Sequence, residues 1–309
     1  MTTSVVLGGA GFLGSHLVDS LLSDGHTVIA LDDLSSGKKK NLQHLESVDQ
    51  FTFILHNTCN EIHLHGDIDY VFNFASLASP PRYLSDPIHT LKTGSKGTNN
   101  AIQLALSNGA RLVHASTSEI YGDPQEHPQL ESYWGHVNPI GPRSCYDEAK
   151  RYAEALCMAY SRTSELNVGI ARIFNTYGPR LSADDGRVVS NLIVQALGGK
   201  PLSLYGLGQQ TRSFCYVTDL IRGIRALAAT DKTGPFNVGS PDEFTIRQLA
   251  ELILEITGSS SELTFMDLPI DDPLRRRPDI SLATEFLGWT PSVSLPDGIR
   301  LTVDWFRQQ

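Results

Sequence analysis

Short β-branched apolar runs alternate with helical patterns through the first 120 residues. Residues 4–7 and 27–31 are continuous apolar runs that predict strands, and between them Leu17, Val18, Leu21 and Leu22 recur at helical spacing over residues 14–24. Residues 70–74 and 111–115 predict further strands, and residues 99–107 a helix. A long helix should follow over 146–162 and a strand over 168–174. Strands that alternate with helices and have no polar face imply an α/β protein, a doubly wound parallel sheet covered on both sides. From Asn175 onward the pattern changes: GPRLSADDGR, YGLGQQTRSF, GSPDEF and DDPLRRRPD crowd between shorter elements. That shift predicts a dinucleotide-binding domain over 1–174 and a smaller mixed α/β substrate-binding part, mainly 175–309, with the chain crossing between them.

Composition narrows the function classes. The 309 residues are 40% hydrophobic and 19% charged, enough to bury a sizeable core. Lys plus Arg number 25 against 34 Asp plus Glu, a net charge of −9, which argues against a nucleic-acid platform. An anionic ligand must therefore be met by local cations. No apolar run is long enough to span a membrane, and the apolar stretch near the N-terminus ends in GGAGFLG, which neither a signal peptide nor an anchor carries. Cys59, Cys145, Cys157 and Cys215 lack the spacing of a zinc or redox motif and read as reduced thiols, so the expectation is a cytoplasmic protein without a metal site.

The first run leads directly into Gly8-Gly9-Ala10-Gly11-Phe12-Leu13-Gly14 and a helix, the context in which glycine spacing is informative. Gly8 would permit the tight turn, Gly11 the approach of a pyrophosphate and Gly14 the packing of helix on strand, while the helix N-terminus offers amide donors. Asp32, at the end of the second strand, suits the adenosine ribose hydroxyls and repels a 2′-phosphate, so NAD is expected over NADP; Lys38 to Lys40 nearby are the argument for NADP. Further on, a strand ends in Ser116-Thr117-Ser118-Glu119, and Tyr146 and Lys150 stand four residues apart on one helix face. An ammonium one turn from a phenol should lower its pKa towards that of a general base.

These residues and the stretches ASTSEIYGDP, WGHVNPIGPRSCYDEAKR, RIFNTYGPR, DGRVVSN, YGLGQQTRSFCYV and DDPLRRRPDI resemble the extended short-chain dehydrogenase/reductases, the NAD-dependent epimerase/dehydratase family, and within them the UDP-glucuronate decarboxylases (UDP-xylose synthases). The resemblance covers essentially the whole chain and implies a Rossmann-type fold. It implies that Gly8, Gly11, Phe12 and Leu13 line the pyrophosphate, Asp32 and Asp33 the adenosine ribose with Ser36 and Gly37 beside it, and Asn57 and Thr58 the adenine. Ala75, Ser76 and Thr93 would lie along the cofactor and Thr176 near the nicotinamide. Thr117, Ser118, Glu119, Tyr146, Lys150 and Arg276 would be catalytic, with Arg276 closing over the hexuronate. Asn175, Arg187, Tyr205, Gln210 and Arg212 would hold UDP, and Tyr83 and Lys92 are further substrate-side candidates.

The resemblance implies oxidation at C4 by bound NAD, loss of carbon dioxide from the 4-keto acid, protonation at C5 and hydride return, giving UDP-xylose without net redox change. It also implies a homodimer built on the helices at 99–107 and 146–162. The chain departs from the family at Leu7, Asp33, Asn57, Leu77 and Gly94, where threonine, asparagine, aspartate, proline and asparagine are usual. Because these positions are expected to surround the dinucleotide, some release of UDP-4-keto-pentose is expected. The enzymatic alternative is a nucleotide-sugar 4,6-dehydratase, many of which carry an aspartate where this chain has Ser118. The non-enzymatic one is a catalytically silent cofactor-binding regulator.

Overall fold

A computed structural model describes residues 2–268 and 273–309, so Asp271 and Asp272 of the DDPLRRRPDI stretch lie outside the described residues. Strands β1 (Thr3–Leu7), β2 (Thr27–Asp32), β3 (Phe51–Leu55), β4 (Tyr70–Asn73), β5 (Arg111–Thr117) and β6 (Val168–Ile173) form one parallel sheet. A seventh strand, Phe236–Val238, pairs with β6, so the C-terminal part of the chain returns to complete the sheet. The order is β3-β2-β1-β4-β5-β6 and then Phe236–Val238, a doubly wound arrangement whose direction reverses between β1 and β4. A ligand crevice is expected at that reversal, outside the carboxyl ends of the strands.

Both faces are dry because alternate residues on each strand bury in opposite directions. Val6, Phe72, Val113 and Ala171 share one core with Leu17 and Leu21 of helix α1 (Phe12–Ser23). Leu7, Val71, Leu112 and Ile170 face the other way, against Ile102 and Ala105 in the helix 98–108 and Cys157 in the long helix 144–164. The segment after β4 is shaped by proline and glycine. Helices α2 (Pro80–Ser85) and α3 (Pro87–Lys92) each begin at a proline, whose fixed φ and missing N–H suit a first helical turn. A π turn, Thr93–Gly97, then joins α3 to α4 (Thr98–Asn108).

Helix α5 (Ser144–Ser164) packs against this turn, and a Cβ on Gly94 would lie 2.6 Å from the Cβ of Ala149. Gly94 is thus a close-approach residue between elements. The remainder of the chain adds helix α6 (Val188–Leu197) and a three-stranded sheet in which Thr211–Ser213 lies between Glu243–Thr245 and Arg275–Arg276. This small sheet brings Arg276 back over the end of β5.

Candidate active site

The crevice has a volume of about 420 Å³ and runs from the glycine turn to the small sheet. At its cofactor end, Gly8 has φ +79, and a Cβ there would sit 2.8 Å from the backbone of Phe74 and Ala75. A Cβ on Gly14 would lie 2.0 Å from the Gly8 carbonyl oxygen, so the turn, helix and neighbouring strand touch through bare backbone. No side chain caps α1 and no acid occupies its first turn, so its N-terminus opens on a crevice lined by Gly11, Phe12 and Leu13.

Asp32 ties the turn together. Its carboxylate accepts from the backbone N–H of Ala10 at 3.0 Å and of Leu34 at 2.8 Å, while burial raises its pKa despite these bonds. Asp32, Asp33, Ser36, Thr58, Ala75, Ser76 and Thr93 line the adjoining adenosine-side hollow, together with His56 and His89. The NADP argument from the lysine run weakens here: Lys38 donates to Ser182 at 2.5 Å and Lys40 to Gln309 at 2.6 Å.

At the reaction end, β5 delivers Thr117 and a short 3-10 turn (Ser118–Tyr121) delivers Ser118 and Glu119. Tyr146 and Lys150 come from α5. Burial pushes the Tyr146 phenol up to about 12, against a hydrogen bond from the Thr117 hydroxyl that favours the phenolate. Burial likewise lowers the Lys150 ammonium to about 8, with Glu154 opposing. Lys150 donates to the Ala115 carbonyl at 2.7 Å and stands 5.9 Å from the Tyr146 ring centre. The expected lowering of the phenol by Lys150 is not what the site shows: burial outweighs the charges around Tyr146 and holds the phenol up.

Tyr83 stacks on Tyr146, with ring centres 5.0 Å apart and planes 6° from parallel. Tyr83, the expected substrate-side candidate, also lines the crevice.

Glu119 is the electrostatic centre of the site. Burial alone would raise its pKa, but Arg276 and then Arg143 hold it down to about 2. Arg143 donates to Glu119 Oε2 at 2.7 Å and Arg276 donates to Oε1 and, at 3.2 Å, to the Gly122 carbonyl. Glu119 is a carboxylate across the useful pH range. Of the three consecutive arginines, Arg276 is the buried one, 3% exposed, whereas Arg275 is exposed.

Asn175, Thr176, Arg187, Tyr205, Gln210 and Arg212 line the crevice with these groups. Two expected residues are placed elsewhere. Lys92 is exposed at the end of α3. Asn57 folds onto its own loop, accepting from the Cys59 N–H at 2.9 Å. Gly37, by contrast, packs beside Asp32, where a Cβ would meet both carboxylate oxygens at 2.7 Å. Of the five departures, Leu77 and Asp33 line the adenosine hollow, whereas Leu7 is fully buried in the core and Gly94 abuts Ala149. Arg143 is the residue that sequence reasoning missed. It lies three residues before Tyr146 in a stretch already singled out, but its partner is 24 residues away and visible only in three dimensions.

The glycine turn, acid-ended second strand and Tyr-Lys helix on a doubly wound sheet define a nicotinamide-dependent sugar-modifying class. The chain belongs to the NAD dependent epimerase/dehydratase family, which it matches over residues 4–239. It is 50% identical to UDP-glucuronic acid decarboxylase 1 of Xenopus tropicalis over 99% of this chain and 72% of that one. It is 51% identical to UDP-glucuronic acid decarboxylase 1 of Arabidopsis thaliana over 99% of this chain and 70% of the relative. Among solved structures, UDP-glucose 4-epimerase of Thermotoga maritima superposes with a TM-score of 0.92 at 31% identity over 99% of each chain. UDP-glucuronic acid 4-epimerase of Bacillus cereus, in complex with UDP-glucuronic acid and NAD, has a TM-score of 0.88 at 29% identity, again over 99% of each chain.

Proposed function

We propose that this chain is an NAD-dependent UDP-glucuronate decarboxylase that forms UDP-xylose. The observation that carries the reading is Glu119 ionised between Arg276 and Arg143 beside Thr117 and Tyr146, a charged clamp next to an oxidising pair. Relatives about 50% identical over 99% of this chain carry that activity in their names.

The bare glycine turn, the uncapped helix N-terminus and Asp32 fit a dinucleotide, with Gly8, Gly11, Phe12 and Leu13 against its pyrophosphate and Asp32 and Asp33 against its adenosine ribose. NAD, when bound, supplies a cationic ring that accepts and later returns a hydride at C4, which makes the C5 carboxylate that of a β-keto acid. A cation in this buried site favours the Tyr146 phenolate, which then takes the C4 hydroxyl proton while the Thr117 hydroxyl orients the two. Because Glu119 stays ionised, it holds Arg276 in place, and Arg276 faces the departing carboxylate. Asn175, Arg187, Tyr205, Gln210 and Arg212 are the proposed UDP contacts.

The chain is further proposed to work as a homodimer in the cytoplasm, its four free cysteines suiting a reducing compartment. No helix among the described residues is long and apolar enough to cross a membrane. Incubation with UDP-glucuronate and trapping of carbon dioxide tests the activity; absence of release from NAD-loaded protein would overturn it.

A further inference from the structure

Arg276 reaches Glu119 from a segment that is tied down elsewhere. Gln129, fully buried in the loop before α5, brackets the neighbouring residue: its N–H donates to the Arg277 carbonyl at 2.9 Å and its Oε1 accepts from the Arg277 N–H at 2.8 Å. Its own carbonyl accepts from the Asp279 N–H at 2.9 Å, and its Nε2 donates to the Glu126 carbonyl at 2.7 Å. Residues 277–279 are thereby stitched to a loop that does not line the crevice.

Behind Gln129 the polar contacts continue without a break. Asn237, fully buried on the seventh strand of the sheet, donates to the carbonyls of Gln129 and Asp279, each at 2.9 Å. Tyr121 donates to Asn237 Oδ1 at 2.7 Å, and Arg172 donates to the Tyr121 hydroxyl at 3.0 Å. Arg172 also grips Glu154 with Nε at 3.0 Å and Nη2 at 2.8 Å, and Glu154 accepts from Ser116 at 2.5 Å. Ser116 immediately precedes Thr117. One end of this buried chain of bonds thus abuts the oxidising pair and the other abuts the arginine clamp.

We infer that Gln129 is a positioning residue of the reaction, fixing the Arg276 guanidinium on Glu119 through the backbone of Arg277. Its influence falls on loss of the carboxylate and spares oxidation at C4, because Arg276 belongs to decarboxylation and Tyr146, Thr117 and Lys150 to oxidation. The side chain is buried and satisfied, so it touches no ligand. A buried residue with three directed bonds to one segment sets geometry, and displacements near 1 Å at such sites cost on the order of a hundredfold in rate.

The inference rests on the decarboxylase reading, and its test separates the two. Gln129→Met keeps the volume and removes both side-chain bonds. Presented with UDP-glucuronate, NAD-loaded Gln129→Met is expected to release carbon dioxide at least about tenfold more slowly than the unaltered protein. UDP affinity should stay within about twofold, and the near-ultraviolet absorbance of reduced cofactor should build up transiently, since oxidation outruns decarboxylation. Tyr121→Phe, which removes one hydroxyl from the chain of bonds, should show the same build-up more weakly, and it decides the matter if Gln129→Met does not fold. Equal slowing of both steps, or carbon dioxide release unchanged within about twofold, overturns the positioning role. If the unaltered protein itself releases no carbon dioxide, the decarboxylase reading falls and this inference falls with it.

Discussion

At the scale of single residues, the site sets opposite demands on two ionisable groups. Tyr146 is held neutral by burial and must lose a proton to work, whereas Glu119 is held charged by Arg276 and Arg143 although buried. Tyr146→Phe should lower turnover by about 10²–10⁴-fold while UDP binding persists, as measured by carbon dioxide release and calorimetry. The Glu119 clamp carries a pH signature. Its carboxyl stands at about 2 against an ordinary 4.5, so the stability it contributes is complete above about pH 4.5 and fades as the pH falls towards 2. Arg143→Leu should raise that pKa, moving both the acid limb of the rate profile and the onset of acid unfolding to higher pH; unchanged acid limbs would mean Arg276 suffices alone. Tyr146, Lys150, Thr117 and Arg276 were legible because they stand in motifs with fixed spacing. Arg143 was not, since nothing local distinguishes an arginine that reaches across to Glu119 from one in solvent.

At the scale of elements, the contact between the π turn and α5 explains a departure that the sequence alone misplaced. Reading Gly94 as a lost amide beside the cofactor assumed that the position faces the crevice, but it faces Ala149. Gly94→Asn should therefore cost stability, roughly 1–3 kcal/mol from overpacking, instead of improving cofactor retention. Because the clash is with a Cβ, adding Ala149→Gly should restore most of the loss, a coupling that a double-mutant thermal melt would detect. Additive losses would show that the two residues do not meet. The same distinction applies to strands. β1, β2, β4, β5 and β6 were readable as apolar runs, whereas β3 lies at the sheet edge with half-exposed residues and Phe236–Val238 has three residues, too few to form a period.

At the scale of the whole molecule, the helix α4 expected at a dimer interface buries Ala101, Ile102, Leu104 and Ala105 inside the protomer. Beside them, Leu84, Ile88 and Leu91 on α2 and α3 and Tyr152 on α5 are exposed, with 46%, 60%, 40% and 50% of their surface accessible. α3 packs directly on α5, and these side chains are the proposed dimer surface. Ile88→Asp is expected to shift the protein from dimer to monomer in light scattering at micromolar concentration, and a monomeric unaltered protein would remove the proposed interface.

Since the fold is shared with 4-epimerases and a 4,6-dehydratase, the central claim concerns what becomes of the sugar's carboxylate. Mass spectrometry of the nucleotide sugar formed from UDP-glucuronate, with no added reductant, distinguishes the outcomes directly. The account predicts a pentose nucleotide lighter than the substrate by one carbon dioxide. A product lighter by one water with its carboxylate retained, or an isomer of unchanged mass, would contradict it.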